Sequence, residues 1–257
     1  HTYFSKNIET IECLSFYKLC QALQSGEADF AVMAIENSIA GSILPNYFLL
    51  QDFRFSIVGE LYVPIHMHLL TLPGVKIKDI RTVSSHPMAI RQCSEFLHNL
   101  THVDIRENDD TALAAKQVKE KADKSQAAIA NEYAAKKFGL KILERRIETH
   151  KKNFTRFLVL SKERHIADGA NKASVYFEVS HEVGCLADVL STFKMHHINL
   201  TKIQSIPIVG KPHEYSFHLD IEWKNKKNYN QAMQAVIRQV HNLNVLGEYK
   251  KGKIEFK

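Results

Sequence analysis

The sequence predicts an α/β protein made of two domains joined by a short linker. Its 257 residues suit two hydrophobic cores better than one, because domains commonly contain roughly 100–200 residues. Over residues 1–162, apolar strand patterns alternate with helical patterns, which is typical of an α/β domain with a mostly parallel sheet. Residues 163–172 are polar and lack periodicity, so they are predicted to form the linker. Over 173–257, the order strand, helix, strand, strand, helix, strand predicts a ferredoxin-like βαββαβ domain.

The first domain opens with a predicted strand and a helix that has clear end signals. Residues 8–13 are predicted to form the strand, and Ser15 to begin a helix whose apolar residues recur at intervals of three and four. Gly26 is expected to end this helix, because glycine readily adopts the left-handed conformation of a helix C-terminus. A buried strand over 29–35 then leads to three polar residues, Glu36, Asn37 and Ser38.

The remaining elements follow from the same signals of periodicity, caps and glycine or proline breaks. In the first domain, strands are predicted over 55–61, 65–70, 80–83, 103–106, 126–130 and 158–160, and helices over 87–97, 111–118 and 131–138. In the second domain, strands are predicted over 173–180, 198–209, 214–223 and 244–249, and helices over 184–196 and 228–240.

Charge and hydropathy exclude several classes of protein. The 34 Lys and Arg exceed the 28 Asp and Glu for a formal net charge of +6, but much of this excess lies in short runs such as 224–227 and 250–253. These runs lack the basic-aromatic pattern of a nucleic-acid binder, so we expect a solvated surface and no nucleic-acid partner. No apolar run approaches the roughly 18 residues of a membrane span, and no leader pattern precedes a cleavage site. A soluble, cytoplasmic protein without membrane association is therefore expected.

Cysteine and histidine spacing does not predict a metal or redox site. No CxxC pair is formed by the four cysteines, Cys13, Cys20, Cys93 and Cys185. In a chain of this length we expect them to be free and mostly buried thiols. His66 and His68 alternate on one strand and are expected to have packing or surface roles. Since phosphate-binding and dinucleotide-binding glycine motifs are also missing from the sequence, we expect neither a metal nor a cofactor.

Four polar clusters lie beside predicted strand or helix ends, where α/β sheets usually place ligand groups. They are Glu36-Asn37-Ser38, Ser85-His86 with Gln92, Asp110-Thr111, and Asn153-Phe154-Thr155-Arg156. Taken singly, each has a structural explanation: Ser85, Asp110 and Thr111 as helix caps, Asn37 and Ser38 as a turn, and Arg156 as half of an ion pair. Taken together, they indicate one cleft in which hydroxyls, amides and an arginine suited to carboxylates bind a small polar anion.

These segments resemble, in order, the successive motifs of the prephenate dehydratase family. The matching residues are 35–42 (IENSIAGS), Ser85-His86-Pro87 with Gln92-Cys93, Asp110-Thr111-Ala112, and 153–157 (NFTRF). The second domain, through residues 184–186 and 198–203, resembles the ACT regulatory domain that is fused to these enzymes. The resemblance covers essentially the whole chain. It implies a two-lobed catalytic domain like that of periplasmic binding proteins over 1–162, followed by an ACT domain over 173–257.

The resemblance implies a substrate and a reaction. Prephenate would lose water and carbon dioxide to give phenylpyruvate in phenylalanine biosynthesis, without a cofactor, so that catalysis needs positioning and a proton donor but no covalent nucleophile. Thr155 would lie nearest the leaving hydroxyl, with Asn37, Ser85 and Gln92 as the other catalytic residues. The residues expected to bind substrate are Glu36, Ser38, His86, Thr111, Arg156 and Phe157. For Arg156, bracing of its own loop is the alternative, and for His86 a structural role in its turn is favoured.

The sequence departs from the family pattern in both domains. A glycine- and serine-containing motif of the first strand and helix is not found, and we expect that a segment precedes His1. In the second domain, Gln204-Ser205-Ile206-Pro207 stands where relatives that bind phenylalanine commonly have Glu-Ser-Arg-Pro. The residues expected to hold a phenylalanine effector are Gly184, Cys185, Leu186, Asn199, Leu200, Gln204 and Ser205. The alternative is that this domain serves only for dimerisation.

Two other classes of function remain open. One is a non-catalytic small-anion receptor, and the other is an amino-acid-binding regulatory protein built around the second domain. The Thr155-Arg156-Phe157 motif favours the enzyme over the receptor, and no helix-turn-helix pattern with basic recognition residues supports the regulator. Since regulatory domains of this type usually pair, a homodimer or homotetramer is expected.

Overall fold

The computed structural model describes residues 3–4 and 7–254. Its helices are α1 (Phe16–Ser25), α2 (Leu44–Phe53), α3 (Pro87–Gln92), α4 (Ser94–His98), α5 (Thr111–Lys121), α6 (Glu132–Phe138), α7 (Cys185–Met195) and α8 (Lys226–Val236), with a turn of 3-10 helix over Ile77–Asp79. Its strands are β1 (Ala31–Asn37), β2 (Gly41–Ser42), β3 (Ser56–Pro64), β4 (His68–Thr71), β5 (Thr82–Ser85), β6 (Asp104–Glu107), β7 (Gln126–Ala130), β8 (Lys141–Glu144), β9 (Phe154–Ser161), β10 (Lys172–Glu178), β11 (Asn199–Pro207), β12 (Tyr215–Glu222) and β13 (His241–Tyr249).

The first helix has the ends that the sequence predicts. The hydroxyl of Ser15 accepts a hydrogen bond from the Lys18 amide at 3.2 Å, and Gly26 ends the helix with a φ of 81°. The strand predicted over 8–13 is wrong, because these residues form neither helix nor strand. Their apolar side chains gain no burial against a sheet, as the 46% exposure of Ile11 shows.

The first sheet has the order β2-β1-β9-β3, and β1 runs antiparallel to both β2 and β9. Strand β1 contains a bulge: Ala34 pairs with Phe157, whereas Glu36 pairs with Arg156, so two steps along β1 match one along β9. A bulge of one residue changes the face to which the following side chains point. The bulge therefore decides to which face of the sheet the polar side chains at the end of β1 point.

The second sheet, of order β6-β5-β7-β4-β8, is mixed. Strand β5 is parallel to β6 and β7, but β4 is antiparallel to β7 and β8. The prediction of a mostly parallel sheet is therefore wrong. All four residues of β4 are buried. A strand buried on both faces has the same sequence pattern whether it runs parallel or antiparallel to its neighbours, so the pattern does not show its direction.

The third sheet has the order β11-β12-β10-β13 and is antiparallel throughout. With α7 and α8 it has the element order βαββαβ that the sequence predicts. Strand β11 also contains a bulge, since Leu200 pairs with Ile221 and Lys202 pairs with Asp220. Residues 162–171, which include most of the predicted linker, contain no helix or strand.

The described residues form two compact units. Those up to Val63 and from Thr155 onward make the first unit, and Pro64–Phe154 makes the second. This division differs from the predicted boundaries at 162 and 173, which stay a prediction. The first unit has one hydrophobic cluster that joins the first and third sheets, with Met33 and Ile206 among its members, and another beneath α7 and α8. In the second unit, clusters cover both faces of the second sheet.

Candidate active site

Asn37 and Thr155 stand opposite each other on β1 and β9 and are joined by a hydrogen bond. Asn37 Nδ2 donates to Thr155 Oγ1 at 3.1 Å. The orientation of the Asn37 amide follows from its oxygen, which accepts the backbone N–H groups of Ile39 and Ala40 at 3.0 and 2.9 Å. Because Thr155 accepts this bond with a lone pair, its own proton can be donated to another oxygen. The pair has the chemistry of an oriented hydroxyl donor.

Arg156 follows Thr155 on β9, and successive strand residues point to opposite faces. Its side chain is buried, with the residue 4% exposed. Nε donates to Glu60 at 2.7 Å, Nη2 donates to the Tyr249 hydroxyl at 3.2 Å, and Nη1 donates to Asp220. These contacts favour the bracing role of Arg156 over the binding of a substrate carboxylate.

We call Glu60, Arg156, Lys172 and Asp220 the buried ion-pair network. Lys172 Nζ contacts Glu60 Oε1 at 3.0 Å, which gives the network two cations and two carboxylates. Burial acts to raise the pKa of the Asp220 carboxyl, but the charges of Arg156 and Lys172, together with hydrogen bonds from Arg156 and Ser174, outweigh it and hold that pKa below its ordinary value. Balanced and hydrogen-bonded in this way, the four charges can lie in the interior.

Sequence reasoning missed Glu60, Lys172 and Asp220. The available signal was a charged residue inside an otherwise apolar strand, as Glu60 is within residues 57–63 (IVGELYV). A buried charge without a partner is very costly, so each such residue predicts a buried partner of opposite sign. The pattern does not show which residues pair.

Glu36, at the end of β1, pairs with a lysine that the sequence analysis did not single out. Lys202 Nζ on β11 lies 2.9 Å from Glu36 Oε1 and donates to Ser42 Oγ, also at 2.9 Å. Of the neighbouring predicted residues, Ser38 lies in the turn after β1, and Phe157 is half-buried.

The predicted residues of the second unit have local partners. Ser85 was expected to cap α3, but this prediction is wrong: His86 Nδ1 accepts the Met88 amide at 3.1 Å, and the Ser85 hydroxyl donates to the Ile129 carbonyl at 2.6 Å. The cap changes because Ser85 is fully buried at the end of β5, whereas His86 precedes the helix. The favoured role of His86 as a structural residue of its turn matches this cap.

The other two predicted residues of the second unit lie at helix ends. Gln92 Oε1 accepts a hydrogen bond from Asn153 Nδ2 at 3.0 Å, and Gln92 is 8% exposed. Asp110 caps α5 as predicted, by accepting the amides of Ala112 and Leu113, whereas Thr111, also predicted as a cap, is the first residue of the helix. The structure thus joins Asn37 with Thr155 in the first unit and Gln92 with Asn153 in the second.

The residues predicted to hold an effector fall into two groups within the first unit. Gly184, Cys185 and Leu186, at the start of α7, line a cavity of about 430 Å³. His181 and His213 lie at the same cavity with stacked rings, 6.1 Å between centroids. The second group lies on β11 and does not line this cavity, and its members are Asn199, Leu200, Gln204 and Ser205.

Thiols and histidines have structural surroundings. The prediction of free thiols is confirmed, with Cys20 and Cys93 buried. Burial raises the pKa of Cys20 to about 11 and that of Cys93 to about 12, so neither is a thiolate near neutral pH.

Across residues 3–4 and 7–254, no group of three or more His, Cys, Asp or Glu is arranged to hold a metal ion. Over the same residues, no helix combines the length and apolar composition needed to cross a bilayer.

The comparison with protein families decides the relationship. The family model for prephenate dehydratase matches residues 1–165. The chain belongs to the prephenate dehydratase family. The chain is 34% identical over 240 residues to a bifunctional chorismate mutase/prephenate dehydratase of Enterobacter agglomerans, covering 92% of this chain and 62% of that protein. It is 38% identical over 260 residues to the chloroplastic arogenate dehydratase/prephenate dehydratase 2 of Arabidopsis thaliana, covering 95% and 67%.

The chain therefore spans about two thirds of the length of these relatives, and solved structures of similar length extend the comparison. A prephenate dehydratase of Arthrobacter aurescens in complex with L-Phe has a TM-score of 0.83 and 27% identity, covering 93% of this chain and 81% of that one. The quorum quenching acylase GqqA has a TM-score of 0.87 and 28% identity, covering 96% and 90%. Members of this fold thus carry names from more than one activity.

Proposed function

We propose that this chain catalyses the decarboxylating dehydration of prephenate to phenylpyruvate, a step of phenylalanine biosynthesis. The observation that carries the proposal is the hydrogen bond from Asn37 to Thr155, which joins two of the motifs that resemble the family. Family membership over residues 1–165 supports it.

The reaction breaks two bonds that join the ring to its substituents, one to the carboxylate and one to the hydroxyl oxygen, and needs little chemistry from the protein. As the bond to the ring carboxylate breaks, its electrons enter the ring, carbon dioxide leaves, and the hydroxyl on the opposite ring carbon departs with its bonding electrons and takes up a proton from solvent to become water. Aromatisation supplies the driving force. Threonine is a very weak acid, so Thr155 acts by a hydrogen bond to the departing oxygen that strengthens as negative charge develops there.

The remaining residues have supporting roles in this proposal. Asn37 fixes the direction of the Thr155 hydroxyl, and Arg156 braces β9 from the opposite face through the buried ion-pair network. The other predicted contributors to catalysis or substrate binding stay predictions: Ser85, Gln92, Glu36, Ser38, His86, Thr111 and Phe157. A cytoplasmic location also stays a prediction.

We further infer that residues 173–257 form an ACT domain that binds phenylalanine. The βαββαβ order and the cavity at Gly184, Cys185 and Leu186 support this inference, and a relative of similar structure is in complex with L-Phe. The loss of both charges at Gln204 and Ile206 changes the segment but keeps it neutral. Dimerisation alone is the rival role. The expected assembly is a homodimer or homotetramer.

The activity is tested by incubating the protein with prephenate and following phenylpyruvate by its absorbance, with arogenate assayed in parallel. We expect phenylpyruvate from prephenate, and its absence would overturn the proposal even if arogenate gave a product. Isothermal titration with phenylalanine tests the regulatory inference. Heat release that saturates at or below millimolar phenylalanine is expected, and no binding at that concentration would leave dimerisation as the only role. Light scattering during size exclusion measures the assembly.

A further inference from the structure

One ammonium group on β11 holds together the two strands that flank the Asn37 turn. Lys202 Nζ lies 2.9 Å from both Glu36 Oε1 on β1 and Ser42 Oγ on β2. Glu36 and Ser42 are themselves opposite each other in the β1–β2 pairing. Between them lie Asn37 and the turn of residues 38–40, whose amides bond to the Asn37 side chain.

Two bulges bring Lys202 and Glu36 face to face. On β11, Leu200 packs in the cluster beneath α7 and α8, and without a bulge Lys202 would point to that same face. The extra residue between them turns Lys202 to the other face, where it pairs in register with Asp220. On β1, the bulge places Glu36 beside Arg156, whose side chain reaches Asp220 as well. The contact therefore depends on two local irregularities and is not a chance approach of surface chains.

The surroundings of Lys202 make this pair stronger than an exposed one. The Lys202 side chain is 10% exposed, and its ammonium also lies 5.8 Å from the centroid of the buried Tyr47 ring. Surface ion pairs contribute little because water and salt screen them. Here the Glu36 side chain is 35% exposed but Lys202 is mostly buried, so the pair is screened less than one in which both side chains are exposed.

We propose that Lys202 is a positioning residue for the reaction: it ties β1 to β2 so that Asn37 stays directed at Thr155. The proposal rests on the proposed dehydratase function for its kinetic consequence. Lys202 touches no reacting atom and acts through Glu36, Ser42 and Asn37. A residue of the third sheet thereby contributes to the geometry of a site on the first sheet.

The kinetic test compares Lys202→Met, Lys202→Arg, Glu36→Gln and the double variant Lys202→Met/Glu36→Gln. Loss of a positioning contact lowers kcat more than it raises KM, so Lys202→Met is expected to lower kcat about tenfold with KM changed less than about twofold. Lys202→Arg keeps the charge and should retain about half of kcat. Because Lys202 and Glu36 act as one unit, the double variant should be no worse than about twofold below Lys202→Met.

A second measurement reports on the hairpin without needing activity. Hydrogen exchange of the peptide that contains Ile39 and Ala40 should become about tenfold faster in Lys202→Met, because these amides are protected by Asn37. Lys211→Met is the matched control: Lys211 also pairs with a glutamate, Glu214, at 3.1 Å, but is 54% exposed. It should leave both kcat and exchange unchanged within about twofold.

The outcomes separate the two proposals. Wild-type protein that forms no phenylpyruvate sinks the proposed function, and the exchange comparison then decides alone whether Lys202 holds the hairpin. If the enzyme is active, wild-type kcat and exchange in Lys202→Met would overturn the positioning role. The positioning role would also be overturned if the loss of kcat in the double variant equalled the product of the losses in the two single variants. Should Lys202→Met fail to fold by circular dichroism, Glu36→Gln and Lys202→Arg carry the same comparison.

Discussion

Asn37 and Thr155 are 118 positions apart in the sequence, yet Asn37 Nδ2 donates to Thr155 Oγ1 across 3.1 Å. The Asn37 oxygen is occupied by two backbone amides of the following turn, so this side chain has one orientation in which all these bonds are made. A hydroxyl held by an oriented donor keeps its proton for another acceptor. Four predictions follow from this pair and its surroundings.

Removing the hydroxyl of Thr155 should abolish most of the activity. Loss of one preorganised hydrogen-bond donor to a developing charge costs about 10²–10³-fold in kcat, so Thr155→Val, which keeps the shape of the side chain, should lower kcat by at least about 100-fold. Thr155→Ser retains the hydroxyl and should stay within about tenfold of wild type. Steady-state formation of phenylpyruvate measures both. Equal activity of the valine and wild-type enzymes would exclude a role of this hydroxyl in the reaction.

The donor and acceptor halves of Asn37 should be separable. Asn37→Asp keeps an oxygen for the amides of Ile39 and Ala40 but loses the N–H that Thr155 accepts, whereas Asn37→Ala loses both. Both variants should lower kcat by about fivefold or more, consistent with a net hydrogen-bond contribution of about 1 kcal/mol or more. Only Asn37→Ala should also lose about 1 kcal/mol of unfolding free energy, measured by urea denaturation. Wild-type kcat in Asn37→Asp would contradict the orienting role.

Breaking the buried ion-pair network should destabilise the protein strongly. Arg156→Met leaves Glu60 and Asp220 buried without their shared partner, and such a loss costs about 3–5 kcal/mol of unfolding free energy. Arg145→Met is the control, because Arg145 lies 3.8 Å from Glu132 with 64% of its side chain exposed. Arg145→Met should change the free energy of unfolding by less than about 0.5 kcal/mol. Urea midpoints measure the difference, and equal midpoints for the two variants would argue against the network as a source of stability.

The protein should become less stable as the pH falls, because the buried side chain of His218 resists protonation. Burial lowers the pKa of His218 to about 4 from its ordinary value of 6.5, so between these values the unfolded chain binds a proton that the folded chain does not. The unfolding free energy therefore decreases as pH falls from 6.5 toward 4, by about 1.4 kcal/mol for each unit. The contribution of Asp220 lies at lower pH, because its depressed pKa keeps it ionised over this range.

The matched variants for this pH dependence are His218→Gln and His165→Gln. His218 is 4% exposed and contacts Gln51 at 2.8 Å, whereas His165 is exposed. Urea unfolding at pH 7 and pH 5 should show a smaller pH effect in His218→Gln than in wild type, and an unchanged one in His165→Gln. An unchanged pH effect in both variants would mean that other groups carry it.

Elements with local end signals were predictable from the sequence. The bounds of β7, the caps of α1 and the Asp110 cap of α5 follow from neighbouring residues alone. Helix α2 was missed because its residues, LPNYFLLQDF, have apolar side chains on all sides and show no helical stripe. The direction of β4 was also missed, because burial on both faces removes the alternation that separates one kind of sheet from another.

The candidate site was predictable as a set of residues but not as a set of contacts. Motif resemblance pointed to Asn37 and Thr155, which the structure joins. It also pointed to Arg156, whose partners come from β3, β12 and β13, and it passed over Lys202. Bulges in β1 and β11 decide the faces of Glu36 and Lys202, and a one-residue irregularity leaves almost no trace in an apolar pattern.

The first unit is assembled from two separated stretches of chain, with Pro64–Phe154 between them. On the ribosome, β1 emerges long before β9, the strand that completes its pairing. The inserted stretch is synthesised in full before β9 and can fold first, while β1 still lacks the strand β9 beside it. Nascent chains in which residues 64–154 have left the ribosome but β9 has not should therefore hold a folded middle and a first strand paired only with β2. Its exposed edge makes the chain prone to aggregation during synthesis.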